Sequence, residues 1–140
     1  MKVSKIMVKN PVMVAPDTPC SKIAQIMKKN MIGSLIIEKN GKPEAIVTER
    51  DLVHRLLAEG KDPTICSADM VSSKPVVAVS IHADVDMAVD IMNDYKIRRI
   101  VVVDDKDNVV GILTTDDLAR QLREMSEELA IKYATMARRT

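Results

Sequence analysis

The sequence predicts an α/β chain of α+β-like character, built from two pseudo-twofold related units, and three observations carry that prediction. The first is an internal repeat. From Met7 the chain runs Met-Val-Lys-Asn-Pro-Val-Met-Val, a periodic apolar stretch, Ile32 to Ile37, a polar turn, and Ala45-Ile46-Val47-Thr48-Glu49-Arg50-Asp51-Leu52. From Met70 it runs Met-Val-Ser-Ser-Lys-Pro-Val-Val-Ala-Val, a second periodic stretch, Ile97 to Val103, a polar turn, and Gly111-Ile112-Leu113-Thr114-Thr115-Asp116-Asp117-Leu118. Two copies of roughly sixty residues imply duplication of one supersecondary unit, each copy supplying half of a shared core. The second observation is that helical periodicity alternates with short apolar runs inside each copy. The third is size and composition: 140 residues, 46% hydrophobic and 29% charged, suit a single folded domain and exclude a disordered chain.

In the first unit Asp17 and Thr18 offer cap chemistry, and Ile23, Ile26, Met27 and Met31 follow at helical spacing. Ser34 to Glu38 reads as a strand, Asn40-Gly41 as a hairpin turn, and Glu44 to Thr48 as a second strand. A helix is expected from Asp51 to Ala58, with Leu52, Val53, Leu56 and Leu57 inward and Gly60 as its stop. The second unit repeats the order. It has a strand at Val76 to Val79, a helix with Val85, Ala88, Val89 and Met92 on one face, a strand at Arg99 to Asp104, a turn at Lys106-Asp107-Asn108, a strand at Val109 to Thr114, and a helix from Asp117. A strand as apolar as Ile100-Val101-Val102-Val103 is covered on both faces. The units span residues 1–60 and 67–124, joined by a linker at 61–66, where Gly60 and Pro63 break the pattern.

The last helix departs from the symmetry. Leu118, Leu122, Met125, Leu129 and Met136 extend a heptad-like stripe into a C-terminal helical extension, 125–140; either its first half packs on its own core and its end frays, or the stripe is a homodimer contact.

Composition narrows the function. A net charge of +1 supplies no field to steer the chain toward nucleic acid or anionic lipid, neither of which is an expected partner. Phe and Trp are absent and Tyr95 and Tyr133 stand alone, so a bound ring would be gripped by Ile, Val and Met. Cys20 and Cys66 form no disulfide framework, and no signal peptide or membrane-spanning run is present; the chain is expected to be cytoplasmic and complete. His54 and His82 lack a second ligand at metal spacing, and no nucleophile-base arrangement or Gly-rich phosphate loop appears, so neither a metal site nor an enzyme is expected.

The residues that carry chemistry are the two Thr-x-x-Asp motifs, Thr48/Asp51 and Thr114/Asp117, each where a buried strand hands over to a helix. Taken singly, each is a capping box: the hydroxyl accepts from a free amide and the carboxylate answers in return. The same geometry can hold a nucleotide. Helix N-terminal amides favour a phosphate, and a carboxylate one turn in accepts two hydrogen bonds from a ribose diol. Arg98-Arg99, at the mouth of the Ile-Val-Val-Val run, tips the balance toward a ligand site, because adjacent strand residues point to opposite faces and one arginine can approach each of two clefts.

The pattern Met-x-x-x-Pro-Val-x-Val, a helix, Ile-x-x-hydrophobic-Val-Val-Val-Asp, and Gly-Ile-hydrophobic-Thr-x-x-Asp-Leu resembles the cystathionine β-synthase (CBS) domain, here twice over, from about Met1 to Glu124. In the first unit Ala45 replaces the usual Gly, and Gly33-Ser34 stands where the second has Arg98-Arg99. The resemblance implies a stand-alone tandem pair, related to the regulatory pair inserted in inosine monophosphate dehydrogenase, with β-α-β-β-α units packed through their sheets. It implies two clefts that take adenosine compounds: AMP, ADP, ATP or S-adenosylmethionine. Carried over, one cleft uses Ile112, Thr114, Asp116 and Asp117 with Arg99 on phosphate and Ile32-Gly33 on the base. The other uses Ile46, Thr48, Arg50 and Asp51 with Ile97-Arg98 on the base side. The Thr114/Asp117 cleft is expected to be the better site. The function expected is a ligand-sensing regulatory module, a homodimer that acts on a separate effector protein. The alternative is a protein or nucleic-acid adaptor with non-functional clefts, contacting its partner through the long helix or Arg138-Arg139.

Overall fold

A computed structural model describes residues 1–137; Arg138-Arg139 lie outside the described residues. It is a mixed α+β fold of two sheets. Strands β1 (Val8–Lys9), β5 (Ala78–Ser80), β6 (Arg99–Val103) and β7 (Val109–Thr114) form one sheet in the order β1-β7-β6-β5. Strands β2 (Met13–Val14), β3 (Ser34–Lys39) and β4 (Lys42–Thr48) form the other in the order β2-β3-β4. The helices are α1 (Cys20–Asn30), α2 (Glu49–Asp51), which runs on into a π-helix at Leu52–Leu57, α3 (Ala68–Val71), α4 (Val85–Tyr95) and α5 (Thr115–Ala137), with a 3-10 turn at Val3–Lys5. No helix among the described residues is long and apolar enough to cross a membrane.

The continuous apolar strands are explained by three hydrophobic layers. Ile100 and Val102 of β6 and Leu113 of β7 face α4, whereas Val101, Val103 and Ile112 meet Ile36 of the other sheet. In the first unit Leu35, Ile37, Ala45 and Val47 face α1, and Ile46 packs against the layer between the sheets. Period-two alternation therefore sends half of each strand to its own helices and half to the opposite unit. The Asn40-Gly41 turn is built as expected, both residues having positive φ, 56° and 79°.

The units also exchange segments. Val3 is fully buried in the second unit's core, its amide bonded to Ala83 O at 3.0 Å, and β1 pairs antiparallel with β7 at Ile112 and Gly111. In return Cys66, Ala68 and Val71 are buried in the first unit's core, and Ser73 bridges Ile46. Each exchanged segment caps a helix. The amides of Cys20 and Ser21 donate to Cys66 O and Pro63 O, both at 2.9 Å, and Val85 N donates to Met1 O at 2.8 Å. Burial and a hydrogen bond with Cys66 push the Cys20 thiol up to about 11.

Several sequence expectations are corrected. Asp17 and Thr18 do not cap α1: Pro19 is the N-cap, and Thr18 Oγ1 donates to Ala15 O at 2.8 Å, because the linker backbone already satisfies the first amides. Met31 is the left-handed C-cap rather than part of the buried face, and is 89% exposed. Val53 and Leu57 are exposed, since i→i+5 bonds such as Ala58 N to Val53 O at 2.9 Å widen the turn and rotate those positions outward. The strand expected at Val76 to Val79 pairs with β6 only from Ala78, whose partner is Val101.

Candidate functional site

Both Thr-x-x-Asp motifs close the strand-to-helix turn in the same way. At β4–α2, Thr48 N donates to Asp51 Oδ2 at 2.9 Å and Asp51 N to Thr48 Oγ1 at 3.1 Å. At β7–α5, Thr114 N donates to Asp117 Oδ2 at 2.9 Å and Asp117 N to Thr114 Oγ1 at 3.2 Å. The capping box is thus present twice. Each turn is also hooked to the preceding strand: Gly33 O accepts from Glu49 N at 3.0 Å, and Arg98 O accepts from Thr115 N at 2.9 Å.

The two carboxylates differ in what holds the remaining oxygen. Asp51 Oδ1 accepts from Ser73 Oγ at 3.3 Å and faces Arg55 Nε at 3.9 Å. Asp117 Oδ1 has one partner among the described residues, Arg120 Nη1 at a long 3.5 Å. Both aspartates are buried, at 8% and 6% exposed, so acceptor capacity left on Asp117 is directed at whatever enters beside it.

Two clefts lie between the units. The larger, about 980 Å³, is walled by Thr114, Asp116, Asp117 and Ile112 from the second unit and by Ile32 and Gly33 from the first; Arg98 and Arg99 also line it, Arg99 paired with Thr114 in the β6–β7 ladder. The smaller, about 350 Å³, is walled by Ile46, Thr48 and Arg50 from the first unit and by Ile97, Arg98 and Arg99 from the second; Asp51 does not line it. The expectation that each arginine serves its own cleft is corrected. Arg98 precedes β6 rather than lying in it, and both arginines, with Gly33 and Glu49, border both clefts. A Cβ on Gly33 would stand 3.5 Å from Glu49 Cδ and 3.7 Å from Arg99 Nη1, so both side chains crowd the space that a larger residue here would fill.

Glu49, Lys28, Ser73 and Arg120 are among the residues at the clefts that sequence reasoning missed. Glu49 lies inside the Thr-x-x-Asp motif but looks like a plain helix-start acid. Lys28, Ser73 and Arg120 reach the clefts or their carboxylates from α1, the exchanged segment and α5, and no local pattern marks them. Among the described residues no group of three or more His, Cys, Asp or Glu could hold a metal; the His82 ring pairs with the exposed Asp105, Nε2 to Oδ1 at 3.1 Å.

The CBS domain model matches residues 3–58 and 67–124. An uncharacterized protein of Methanopyrus kandleri is 37% identical over 105 residues, 74% of this chain; the chain spans 54% of that relative's length. An inosine-5'-monophosphate dehydrogenase of Nitrosopumilus maritimus is 31% identical over 117 residues, 81% of this chain and 22% of the dehydrogenase. Among solved structures, a CBS domain protein from Pyrobaculum aerophilum complexed with AMP superposes with a TM-score of 0.77 at 26% identity, over 84% of this chain and 90% of that one. The CBS domain pair of protein MJ0100, in complex with 5'-methylthioadenosine and S-adenosyl-L-methionine, gives 0.79 at 29% identity, over 89% and 98%. Two matched copies, exchanged segments and two inter-unit clefts agree: the chain belongs to the CBS domain family, as a tandem pair.

Proposed function

We propose that this chain is a ligand-sensing regulatory module that binds an adenine nucleotide or related adenosyl compound, AMP, ADP, ATP or S-adenosylmethionine, in the clefts between its units. It acts as a cytoplasmic homodimer on a separate effector protein, and the Thr114/Asp117 cleft is the tighter site. The observation that carries this reading is the buried Asp117 carboxylate, half engaged by its own turn, in a cleft of about 980 Å³ that two arginines also line. That arrangement suits a ribose diol at one end and a phosphate at the other. The AMP and S-adenosylmethionine complexes of similar CBS structures support the ligand class. The regulatory logic is linkage: a ligand touching both units stabilises one arrangement of them and shifts the equilibrium its effector sees.

A thermal-shift screen over adenosyl compounds tests the function. A ligand at a hundred times its dissociation constant stabilises by about 2.7 kcal/mol, and absence of a shift with every compound sinks the proposal. Calorimetry of Asp117→Ala and Asp51→Ala tests the site. Loss of hydrogen bonds to a charged acceptor should weaken the tighter AMP event about tenfold or more in Asp117→Ala and leave it near wild type in Asp51→Ala. Intact affinity in a folded Asp117→Ala protein overturns the assignment.

A further inference from the structure

We propose that the two clefts compete for one arginine pair, so that a phosphorylated ligand in the larger cleft weakens binding of a second phosphorylated ligand in the smaller one. This coupling rests on the nucleotide reading above. Arg98 and Arg99 border both clefts, with Gly33 and Glu49 completing the shared wall. Each half of the wall is fixed at the backbone within its own unit, because Gly33 O accepts from Glu49 N at 3.0 Å and Arg98 O from Thr115 N at 2.9 Å.

The coupling is reciprocal: a phosphate in either cleft weakens a phosphate in the other by the same factor. Among the described residues the larger cleft adds Lys28 and Arg120 to the shared pair but sets Asp116 and Asp117 against them, whereas the smaller adds Arg50. Once a phosphate in the larger cleft engages Arg98 and Arg99, the smaller cleft presents Arg50 against Glu49 and a neighbouring anion. Like charges in adjacent clefts repel, and the pair's planar donors cannot serve two phosphates at full strength. A ligand without phosphate makes no such demand. Adenosine should therefore fill the clefts independently, and the coupling separates ligands by charge rather than by base.

Calorimetric titration of the full chain with AMP and with adenosine, in wild type and in Asp117→Asn, reads this directly. The variant disables the larger cleft while keeping an acceptor for Thr114 N, so it reports the smaller cleft with its neighbour empty; the second wild-type event reports it with the neighbour filled. The AMP affinity should fall at least about fivefold between the two, and the adenosine affinity should agree within about twofold. Equal AMP affinities, an equal fall for adenosine, or a single site for both ligands overturns the proposal. Glu49→Gln, at an exposed position, supplies a second reading that does not depend on the folding of Asp117→Asn. Neutralising that wall should narrow the gap between the two AMP dissociation constants and leave the adenosine gap as it was; an unchanged AMP gap contradicts the shared wall. Failure of both ligands to bind refutes the nucleotide reading itself, whereas binding without an AMP-specific fall refutes only the sharing.

Discussion

At the scale of single residues, positions where the two copies differ in sequence are explained by what each copy touches. Gly111 lies in β7 beneath the exchanged N-terminal segment: a Cβ there would stand 2.4 Å from Met7 Sδ and 3.1 Å from Val8 O. Its counterpart Ala45 is fully buried, but the segment exchanged in return hydrogen-bonds to β4 through the isolated Ile46–Ser73 bridge rather than a strand ladder. Gly111→Ala should therefore destabilise by about 1–3 kcal/mol, since the Met7 thioether can swing aside but the Val8 carbonyl is held by the ladder. Urea denaturation checks this, and a neutral result means β1 is not seated as described. The Thr-x-x-Asp pairs teach the converse lesson. Their caps are alike and legible in the sequence, yet Asp51 is satisfied by Ser73 while Asp117 keeps an oxygen nearly free, a difference made by residues distant in the chain.

At the scale of elements, strands were easier to read than helix faces. The limits of β7 match the apolar run at Val109 to Thr114 because alternation is a local property of extended chain. The helix after β4 was misjudged at Val53 and Leu57 because a 3.6-residue period does not apply to a π-turn. Helix α5 divides into two parts. Leu118 packs on the second unit's core, but Leu122, Met125, Leu129 and Met136 are 66%, 44%, 47% and 57% exposed. Their spacings of three, four and seven residues form an apolar stripe that a second α5 could cover. Sedimentation velocity should show a dimer that dissociates in Leu122→Glu/Leu129→Glu with helicity largely kept; a monomeric wild type would remove the helix from the dimer contact.

At the scale of the whole molecule, the exchanged segments tie the two units into one folding entity. Deleting residues 1–9 removes Val3 from the second core together with the β1–β7 ladder, and should cost at least about 3 kcal/mol. A fragment ending at residue 60 should not fold, because it lacks Cys66, Ala68 and Val71 and exposes Ile36 and Ile46 of the layer between the sheets. Circular dichroism during urea unfolding should report a single transition for the full chain; two resolved transitions, or a folded fragment, would contradict the interleaved core. By itself the sequence determined the duplication, the alternation of strands and helices, both capping boxes and the residue types available for a nucleotide. These are written in near-neighbour patterns, which local hydrogen bonding and side-chain period translate directly into structure. Only the tertiary structure decided which segment completes which core, that Asp117 rather than Asp51 borders a cleft, and that Arg98 and Arg99 stand in a wall common to both. Those outcomes depend on contacts such as Val3 with Ala83 and Asp51 with Ser73, whose sequence separation leaves no local period or motif to read.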